Sequence, residues 1–189
     1  MSIRELLTRL IIFLVSFSST LFSKEFFEIA NKHLTKNGLF VQWLPIYEMD
    51  IEEFKRFYNT FTAVFPYVVA FANVKENENF PIKLKTSEII FVGSNDKIDL
   101  NVLNKSYMQL PDKSKESLAS VRLYSVADIE NLIIFTSEQL QGYAKGYGFI
   151  TDDKPSLEYS TAKHILTMKD SEPVLKNIEK FLEKAKRGS

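Results

Sequence analysis

Cysteine is absent from this chain of 189 residues, and net charge is absent as well. Without cysteine the chain has no disulfide framework, no thiolate nucleophile and no Cys-type zinc site, a composition that fits a reducing compartment. The 24 Lys and Arg residues are balanced by 24 Asp and Glu residues, and no basic run stands out. Because nucleic-acid binding needs an excess of positive charge on one face, we expect no nucleic-acid partner.

Histidine and glycine are scarce, and each scarcity excludes a class of site. Only His33 and His164 could serve an imidazole-dependent Ser-His-Asp site, and no acid partner is evident for His33, so such a site is not expected. The one glycine cluster, "GYAKGYG" with Gly142, Gly146 and Gly148, follows a predicted helix. A phosphate-binding loop requires a strand before it, so we interpret this cluster as a helix end and a turn.

Hydrophobic and aromatic residues are abundant. Hydrophobic residues make up 45% of the chain, and they include 16 Phe and 8 Tyr. A composition of this kind predicts one globular domain with a sizeable core.

The N-terminal stretch "MSIRELLTRLIIFLVSFSSTLFS" has two interpretations. Arg4 and Arg9 before an apolar run resemble a secretory signal. The run "LIIFLVSF" also has the β-branched and aromatic composition of a buried parallel strand, and it is too short to span a bilayer comfortably. We favour the strand, since Glu5 interrupts the basic segment and the cleavage site is poor. We therefore expect a cytoplasmic protein, with membrane association or export as the alternative.

Residues 24–94 alternate between helical and strand patterns. "KEFFEIANKHL" predicts a helix with Gly38 as its left-handed stop, and "LFVQWLP" predicts a strand that ends at Pro45. "DIEEFKRFYNTFTAVF" predicts an amphipathic helix with Asp50 and Glu53 in capping-box spacing. "YVVAFANV" and "EIIFVGS" predict two strands paired as an antiparallel hairpin. This order is typical of the end of an α/β sheet.

The second half has weaker patterns. We expect residues 96–115 to be a loop with one short helix near "DLNVLNKSY". "SVADIENLIIF" predicts a helix that begins after Ser125, and "TSEQLQGYAKG" predicts a second helix after it. "SEPVLKNIEKFLEKAKR" predicts a C-terminal amphipathic helix, with Ser171 as cap and Pro173 in its first turn.

Two polar places are candidate binding positions. Gln42 and Trp43 lie near the end of a predicted strand, where ligands of open α/β sheets bind; the alternative is that Trp43 anchors the core and Gln42 caps a loop. Asp152 and Asp153 in "GFITDDKPSLEYS" could pair with an ammonium group, or could form an Asx turn that leads into a strand "SLEY", and the turn is favoured. We expect no bound metal.

Two segments of the chain carry a resemblance to a known family. They are "LFSKEFFEIANKHLTKNGLFVQWLPIYEMDIEEFKRFYNTFTAVFPYV" and "ITDDKPSLEYS", and the matched region is about residues 21–166. They resemble the spermidine synthase-like proteins, or polyamine aminopropyltransferases, in particular the branch found alone or fused to membrane transporters. In that branch a Gly-hydrophobic-Val-Gln-Trp-Leu strand and a Thr-Asp-Asp-x-Pro-x-Leu-Glu-Tyr/Phe segment recur.

The resemblance implies a class I methyltransferase-like, Rossmann-type α/β fold, of which this chain would hold the C-terminal part and an additional helical segment. Active members transfer an aminopropyl group from the co-substrate decarboxylated S-adenosylmethionine to putrescine. By similarity Gln42 lines the amine pocket and Trp43 replaces a smaller residue. The reaction requires carboxylates for the cationic diamine and a deprotonated attacking nitrogen.

The chain departs from this family before residue 21. The family's glycine-rich nucleotide loop has no counterpart there, and "LVSFSST" stands where the family carries its catalytic Asp motif. We therefore expect a divergent segment at 1–20, the family's C-terminal half at 21–166 and an amphipathic helix at 167–189. The expected protein is an incomplete aminopropyltransferase, inactive alone; the alternative is a non-catalytic module that binds polyamines or a partner. A partner chain or a second copy would cover the exposed sheet edge.

Overall fold

A four-stranded sheet and the helices around it make up the part of the chain that the structure describes. The structure is a computed structural model, and it describes residues 20–46, 49–72, 88–153 and 172–187. Along the chain the elements are a 3-10 helix at Thr20–Phe22, α1 at Lys24–Lys32, β1 at Phe40–Pro45, α2 at Ile51–Val64, β2 at Tyr67–Phe71, β3 at Glu88–Ser94, α3 at Val102–Met108, α4 at Asp112–Ser120, α5 at Val126–Glu130, β4 at Ile133–Thr136 and α6 at Glu172–Arg187.

The strand order is β1-β3-β2-β4, and every neighbouring pair is antiparallel. The expected antiparallel pairing of β2 with β3 is therefore confirmed. Because β3 runs opposite to both of its neighbours, β1 and β2 are parallel to each other, and α2 connects them as a crossover helix. The expectation of an α/β fold holds at the level of a sheet packed with helices, although no two adjacent strands within the described ranges are parallel.

Helices α1 and α2 begin at the caps that their sequences specify. The Ser23 hydroxyl accepts the Phe26 amide at 3.2 Å, which caps α1. At α2 the Asp50 carboxylate accepts the Glu53 amide, and the Glu53 carboxylate accepts the Asp50 amide, both at 2.9 Å. This reciprocal pair is the predicted capping box, and it satisfies two amides that a helix start leaves without partners.

Helices α1 and α2 lie side by side and point in the same direction. Phe22, just before α1, contacts Phe57 of α2 with ring centroids 5.8 Å apart. At the other end, the Asn31 side-chain amide donates to the Val64 carbonyl at 3.3 Å. Between them, Phe27 is fully buried against the α2 aromatics. Aromatic packing therefore fixes the two helices as one parallel layer.

The two faces of the sheet differ sharply. The face toward α1 and α2, which we call the helical face, carries Phe40 and Leu44 of β1 and Phe91 of β3, packed in the core. The other face, the open face, consists near β1 of Val41, Trp43, Ile90 and Val92. Val41 is 60% exposed, and Trp43 and Ile90 are each 43% exposed. The open face is thus apolar and only partly covered at its β1 end.

Two of the helix predictions were wrong in detail. Residues 137–146 form turns rather than the expected helix, and Gly142 and Gly146 have φ angles of 80° and 90°, which a helix does not allow. After α1 the left-handed residue is Asn37, with φ 57°, and not Gly38. The Gly38 amide instead donates to the Thr35 carbonyl at 2.8 Å.

The region after β3 contains more structure than expected. The short helix near "DLNVLNKSY" is confirmed as α3, but α4 begins at Asp112, inside the predicted loop. The start of the helix after Ser125 is confirmed as α5, again with a capping box, but the helix ends at Glu130. Residues 133–135 of the predicted helix instead lie in β4, which was not predicted.

The C-terminal helix is confirmed as α6, whose Val174 and Ile178 are fully buried while Leu182 packs against the core from a half-buried position. The predictions for residues 10–17, for "SLEY", for Ser171 and for His164 lie outside the described residues. No helix within the described ranges is long and apolar enough to cross a membrane.

Candidate functional site

Two distant segments of the chain meet at the start of α1, and they are the segments that carry the family resemblance. The Lys24 amide donates to the Ile150 carbonyl at 2.9 Å, and the Asp152 amide donates to a Glu25 carboxylate oxygen at 3.2 Å. The Ile150 amide in turn donates to the Thr60 hydroxyl at 2.9 Å, inside the core. Three hydrogen bonds therefore join residues 150–152 to α1 and α2.

This junction brings three carboxylates to one surface, which we call the acidic turn: Glu25, Asp152 and Asp153. Glu25 is half-buried in the first turn of α1, and both aspartates are exposed in a turn, as predicted. The helix dipole favours the negative charge of Glu25 at this end of α1. Three carboxylates at one surface create a negative potential that attracts cations. The acidic turn is therefore suited to an ammonium group approached from solvent.

The carboxylates of the acidic turn are not grouped in the manner of metal ligands. Among the residues that the structure describes, no three His, Asp or Glu side chains are grouped so as to hold a metal ion. An amine of the chain itself lies beside the acidic turn. The Lys24 ammonium is 3.3 Å from a Glu28 carboxylate oxygen and 5.1 Å from the centre of the Phe149 ring. Phe149 is 44% exposed. The chain's own Lys24 thus shows that an ammonium group fits against an aromatic face beside the turn.

Gln42 and Trp43 lie on opposite faces of the sheet. Successive side chains of a strand alternate, so Gln42 lies on the helical face with Phe40, while Trp43 lies on the open face opposite Ile90. The Gln42 side-chain amide donates to the Trp43 carbonyl at 2.9 Å. Trp43 is partly exposed and is not a core anchor. Because β1 is at the end of the described sheet, the two side chains can approach a common ligand only around that strand's edge.

The predicted substrate residues thus form two separate places. No hydrogen bond or ring contact among the described residues joins Gln42 or Trp43 to Asp152 or Asp153. The acidic turn lies at the start of α1, and the other pair lies along β1. Binding by all four residues stays a prediction, and the acidic turn is the better defined of the two places.

A lysine and tyrosine cluster was missed by the sequence patterns. The Lys55 ammonium lies 5.1 Å from the Tyr143 ring centre and 5.0 Å from the Tyr147 ring centre. The Tyr143 hydroxyl donates to the Asn177 side-chain oxygen at 2.8 Å, which ties residues 137–147 to α6. Burial raises the pKa of the Tyr143 hydroxyl and that of the Tyr58 hydroxyl, so both stay protonated well above physiological pH. These contacts give the cluster a structural role, which is to hold residues 137–147 against α2 and α6.

A cleft of about 360 Å³ opens between residues 97–101 and the ends of β2 and β4. Its lining is mostly apolar, from residues such as Val69 and Ile98. Of its three charged residues, Lys97 and Glu138 pair with each other at 3.3 Å and are both well exposed, and the Asp99 carboxylate accepts hydrogen bonds from the neighbouring Asn101. A binding site needs a few convergent polar groups inside the pocket, so this cleft is a weaker candidate than the acidic turn.

No family model, curated protein or solved structure matches this chain. The resemblance described above is therefore supported only by the two quoted segments. The functional argument must proceed from their geometry, which is the meeting of both segments at the start of α1.

Proposed function

We propose that this chain is a spermidine synthase-like protein, the C-terminal part of a class I methyltransferase-like, Rossmann-type fold, that binds a polyamine and does not transfer an aminopropyl group by itself. The observation that carries the proposal is the contact between the two family-like segments. The Asp152 amide binds the Glu25 carboxylate although the two residues are 127 positions apart. Such a contact is expected if both segments belong to one ligand-binding surface.

The order of elements supports the fold part of this proposal. β1, α2 and β2 form a parallel strand–helix–strand unit, and α1 packs beside α2 on the same face of the sheet. Units of this kind, repeated side by side, build Rossmann-type sheets. The antiparallel β3 is inserted between the two parallel strands, so the described sheet contains the unit in an interrupted form.

The chemistry of polyamines supports the binding part. Putrescine and spermidine are flexible chains with ammonium groups separated by methylene groups. The acidic turn supplies carboxylates, and the Lys24 ammonium, 5.1 Å from the ring centre of Phe149, shows the kind of cation–aromatic contact that a polyamine would make in its place. An exposed acidic surface of this type binds with modest affinity, because water and salt screen each charge.

Aminopropyl transfer makes further demands. The attacking amine must be deprotonated, and the nucleoside of decarboxylated S-adenosylmethionine must be seated beside it. In this sequence no acid lies between Glu5 and Glu25, where the family carries its catalytic Asp. We therefore propose that a complete site requires a partner chain, and that the chain alone is a polyamine-binding module.

The test of binding is calorimetric titration with putrescine and spermidine. We expect the Asp152→Asn/Asp153→Asn variant to bind about tenfold more weakly, because two exposed charges contribute up to about 1 kcal/mol each. The matched control is Glu116→Gln/Glu130→Gln, which removes two exposed carboxylates on α4 and α5. The control should bind like the natural chain. Equal weakening in both variants would show non-specific attraction and would contradict the site.

The test of catalysis is release of methylthioadenosine from decarboxylated S-adenosylmethionine in the presence of putrescine. We expect none from the chain alone. Turnover by the purified chain would overturn the proposal that it is incomplete. Polyamine binding without turnover would support the non-catalytic module, and a folded chain that binds no polyamine would remove the polyamine role altogether.

A further inference from the structure

The cleft between residues 97–101 and the ends of β2 and β4 is a second concave surface, separate from the acidic turn. β2 begins soon after α2 ends, whereas the acidic turn lies at the start of α1, which points in the same direction as α2. The two surfaces are therefore at opposite ends of the helical layer. We propose that this cleft binds a free α-amino acid with an apolar side chain, an inference that does not depend on the proposed polyamine function.

The walls of the cleft are apolar and suit one side chain of moderate size. Val69 of β2 pairs with Val92, so its side chain lies on the open face of the sheet, and it is only 4% exposed. Ile98 and Leu100 lie across the cleft from it and are half-buried. At about 360 Å³ the cleft is at the small end of the range for ligand sites, which fits a side chain the size of leucine or phenylalanine.

Hydrogen bonds hold both walls in place without a ligand. The Ser137 hydroxyl donates to the Pro66 carbonyl at 3.0 Å and accepts the Val68 amide at 3.1 Å, which ties the end of β4 to the start of β2. In the opposite wall, the Asp99 carboxylate accepts the Asn101 backbone amide at 3.0 Å and its side-chain amide at 2.8 Å. Because a preformed site loses little conformational entropy on binding, it can hold even a small ligand.

The rim of the cleft carries an ion pair that a ligand can replace. The Lys97 ammonium lies 3.3 Å from a Glu138 carboxylate oxygen, and the two side chains are 73% and 67% exposed. An ion pair so exposed contributes little to stability, because water screens it and both long side chains lose freedom in forming it. Lys97 and Glu138 can therefore exchange each other for the charges of a ligand at small cost.

The two charges of an α-amino acid complement this pair. The ligand carboxylate binds Lys97 and the ligand ammonium binds Glu138, so two ion pairs replace one and neither side chain loses its counter-charge. A ligand with a single charge satisfies one of these side chains and separates the other from its partner. Because these charges lie at the rim and the walls are apolar, the ligand must carry both charges at one end and an apolar group at the other.

NMR titration of the full chain tests the proposal, because it reports where a ligand binds. The ligands are L-phenylalanine and three analogues: phenethylamine lacks the carboxylate, 3-phenylpropionate lacks the ammonium group, and glycine lacks the apolar side chain. Affinities are measured from the backbone amides of residues 97–101 and 136–138, so an amine that binds at the acidic turn does not interfere.

The variants are Lys97→Met and Glu138→Gln, each of which removes one charge from the rim. Their matched controls are Lys113→Met and Glu116→Gln, which remove exposed charges from α4. All four positions are exposed, so each variant is expected to fold.

We expect phenylalanine to shift the cleft amides and to bind about fivefold more weakly after either rim substitution, close to the most that one exposed ion pair contributes. Phenethylamine and 3-phenylpropionate should each bind about fivefold more weakly than phenylalanine for the same reason. Glycine should bind at least about tenfold more weakly, because it buries no side chain. The two α4 controls should bind phenylalanine like the natural chain.

Two results would overturn the proposal. Equal binding of phenylalanine and its two singly charged analogues would show that the rim pair does not select a zwitterion. Unshifted cleft amides in a folded chain at millimolar phenylalanine would show that the cleft is not an amino-acid site. Either result leaves the polyamine proposal intact, since that is decided by the titrations of the Asp152→Asn/Asp153→Asn variant.

Discussion

At the scale of the residue, Gly93 shows how tightly the helical face is packed. A Cβ atom at this position would lie 2.8 Å from the Phe61 ring and 2.8 Å from Cβ and Cγ of Phe65. Neither ring has room to withdraw, because both are fully buried among other aromatics. The absence of a side chain at Gly93 is therefore what lets β3 approach α2.

We predict that Gly93→Ala destabilises the protein by about 1–3 kcal/mol, the usual cost of overpacking a core. The measurement is the midpoint of urea unfolding. The control is Gly148→Ala, where a Cβ atom would meet nothing within 4 Å. The control should change stability little, or raise it slightly by restricting the unfolded chain. Equal stability of the two variants would contradict the packing described at Gly93.

Residues also show what the sequence could reveal about the candidate site and what it could not. Asp152 and Asp153 were placed in a turn correctly, because Asp side chains have a strong local preference for hydrogen-bonded turns. The Glu25 contact could not be foreseen, since it joins residues that only the fold brings together. Gln42 and Trp43 were paired as neighbours in sequence, whereas the alternation of β1 separates them onto opposite faces.

At the scale of the element, α2 is the helix on which the core is built, and its start depends on one capping box. We predict that Asp50→Ala lowers the free energy of unfolding by about 1–2 kcal/mol, because it removes the Glu53 amide's acceptor. Asp50→Asn keeps an acceptor oxygen and should lose much less. Thermal and urea unfolding both measure the effect.

The comparison element is α5, which has the same type of cap at Ser125 but no buried residue. Ser125→Ala should therefore cost the whole protein less than Asp50→Ala. If the two alanine variants were equally destabilised, the capping box would contribute to stability independently of the core that its helix supports, contrary to our expectation.

Local signals explain why some elements were predicted and others were not. α2 carries both a cap and a regular apolar spacing, so its sequence alone is sufficient to predict the helix. β4 has only four residues, and no turn signal separates its apolar run from the start of the preceding helix. Its sequence is therefore ambiguous between helix and strand, and its pairing with β2 decides for the strand. Residues 137–146 include good helix formers, but they form turns that bury the side chains of Leu140 and Tyr143 in the core. This burial outweighs their helix propensity.

At the scale of the whole molecule, stability is distributed unevenly. The sheet, α1, α2 and α6 share one core, while no side chain in residues 95–133 is buried. The helices α3 and α4 have no buried residues and are supported by exposed hydrogen bonds such as that from the Tyr107 hydroxyl to the Tyr124 carbonyl. Regions with so few apolar contacts open without global unfolding.

We predict that amides of α4 exchange with solvent at least about a hundredfold faster than amides of β3, because α4 opens locally and β3 exchanges only on global unfolding. Hydrogen exchange followed by mass spectrometry or NMR measures both. Helix α2 serves as the control, since it is also helical but its inward face is buried. Equal protection of α4 and α2 would mean that α4 is stabilised by contacts beyond those seen here.

The position of β3 between two parallel strands has a consequence for how the chain folds during synthesis. β3 hydrogen-bonds to β1 on one side and β2 on the other, yet it follows both in the sequence. While the ribosome is still producing residues 88–94, β1 and β2 must stay separated by the width of one strand. Their direct pairing would be a kinetic trap, and the α2 crossover that positions them has to keep that gap open until β3 arrives.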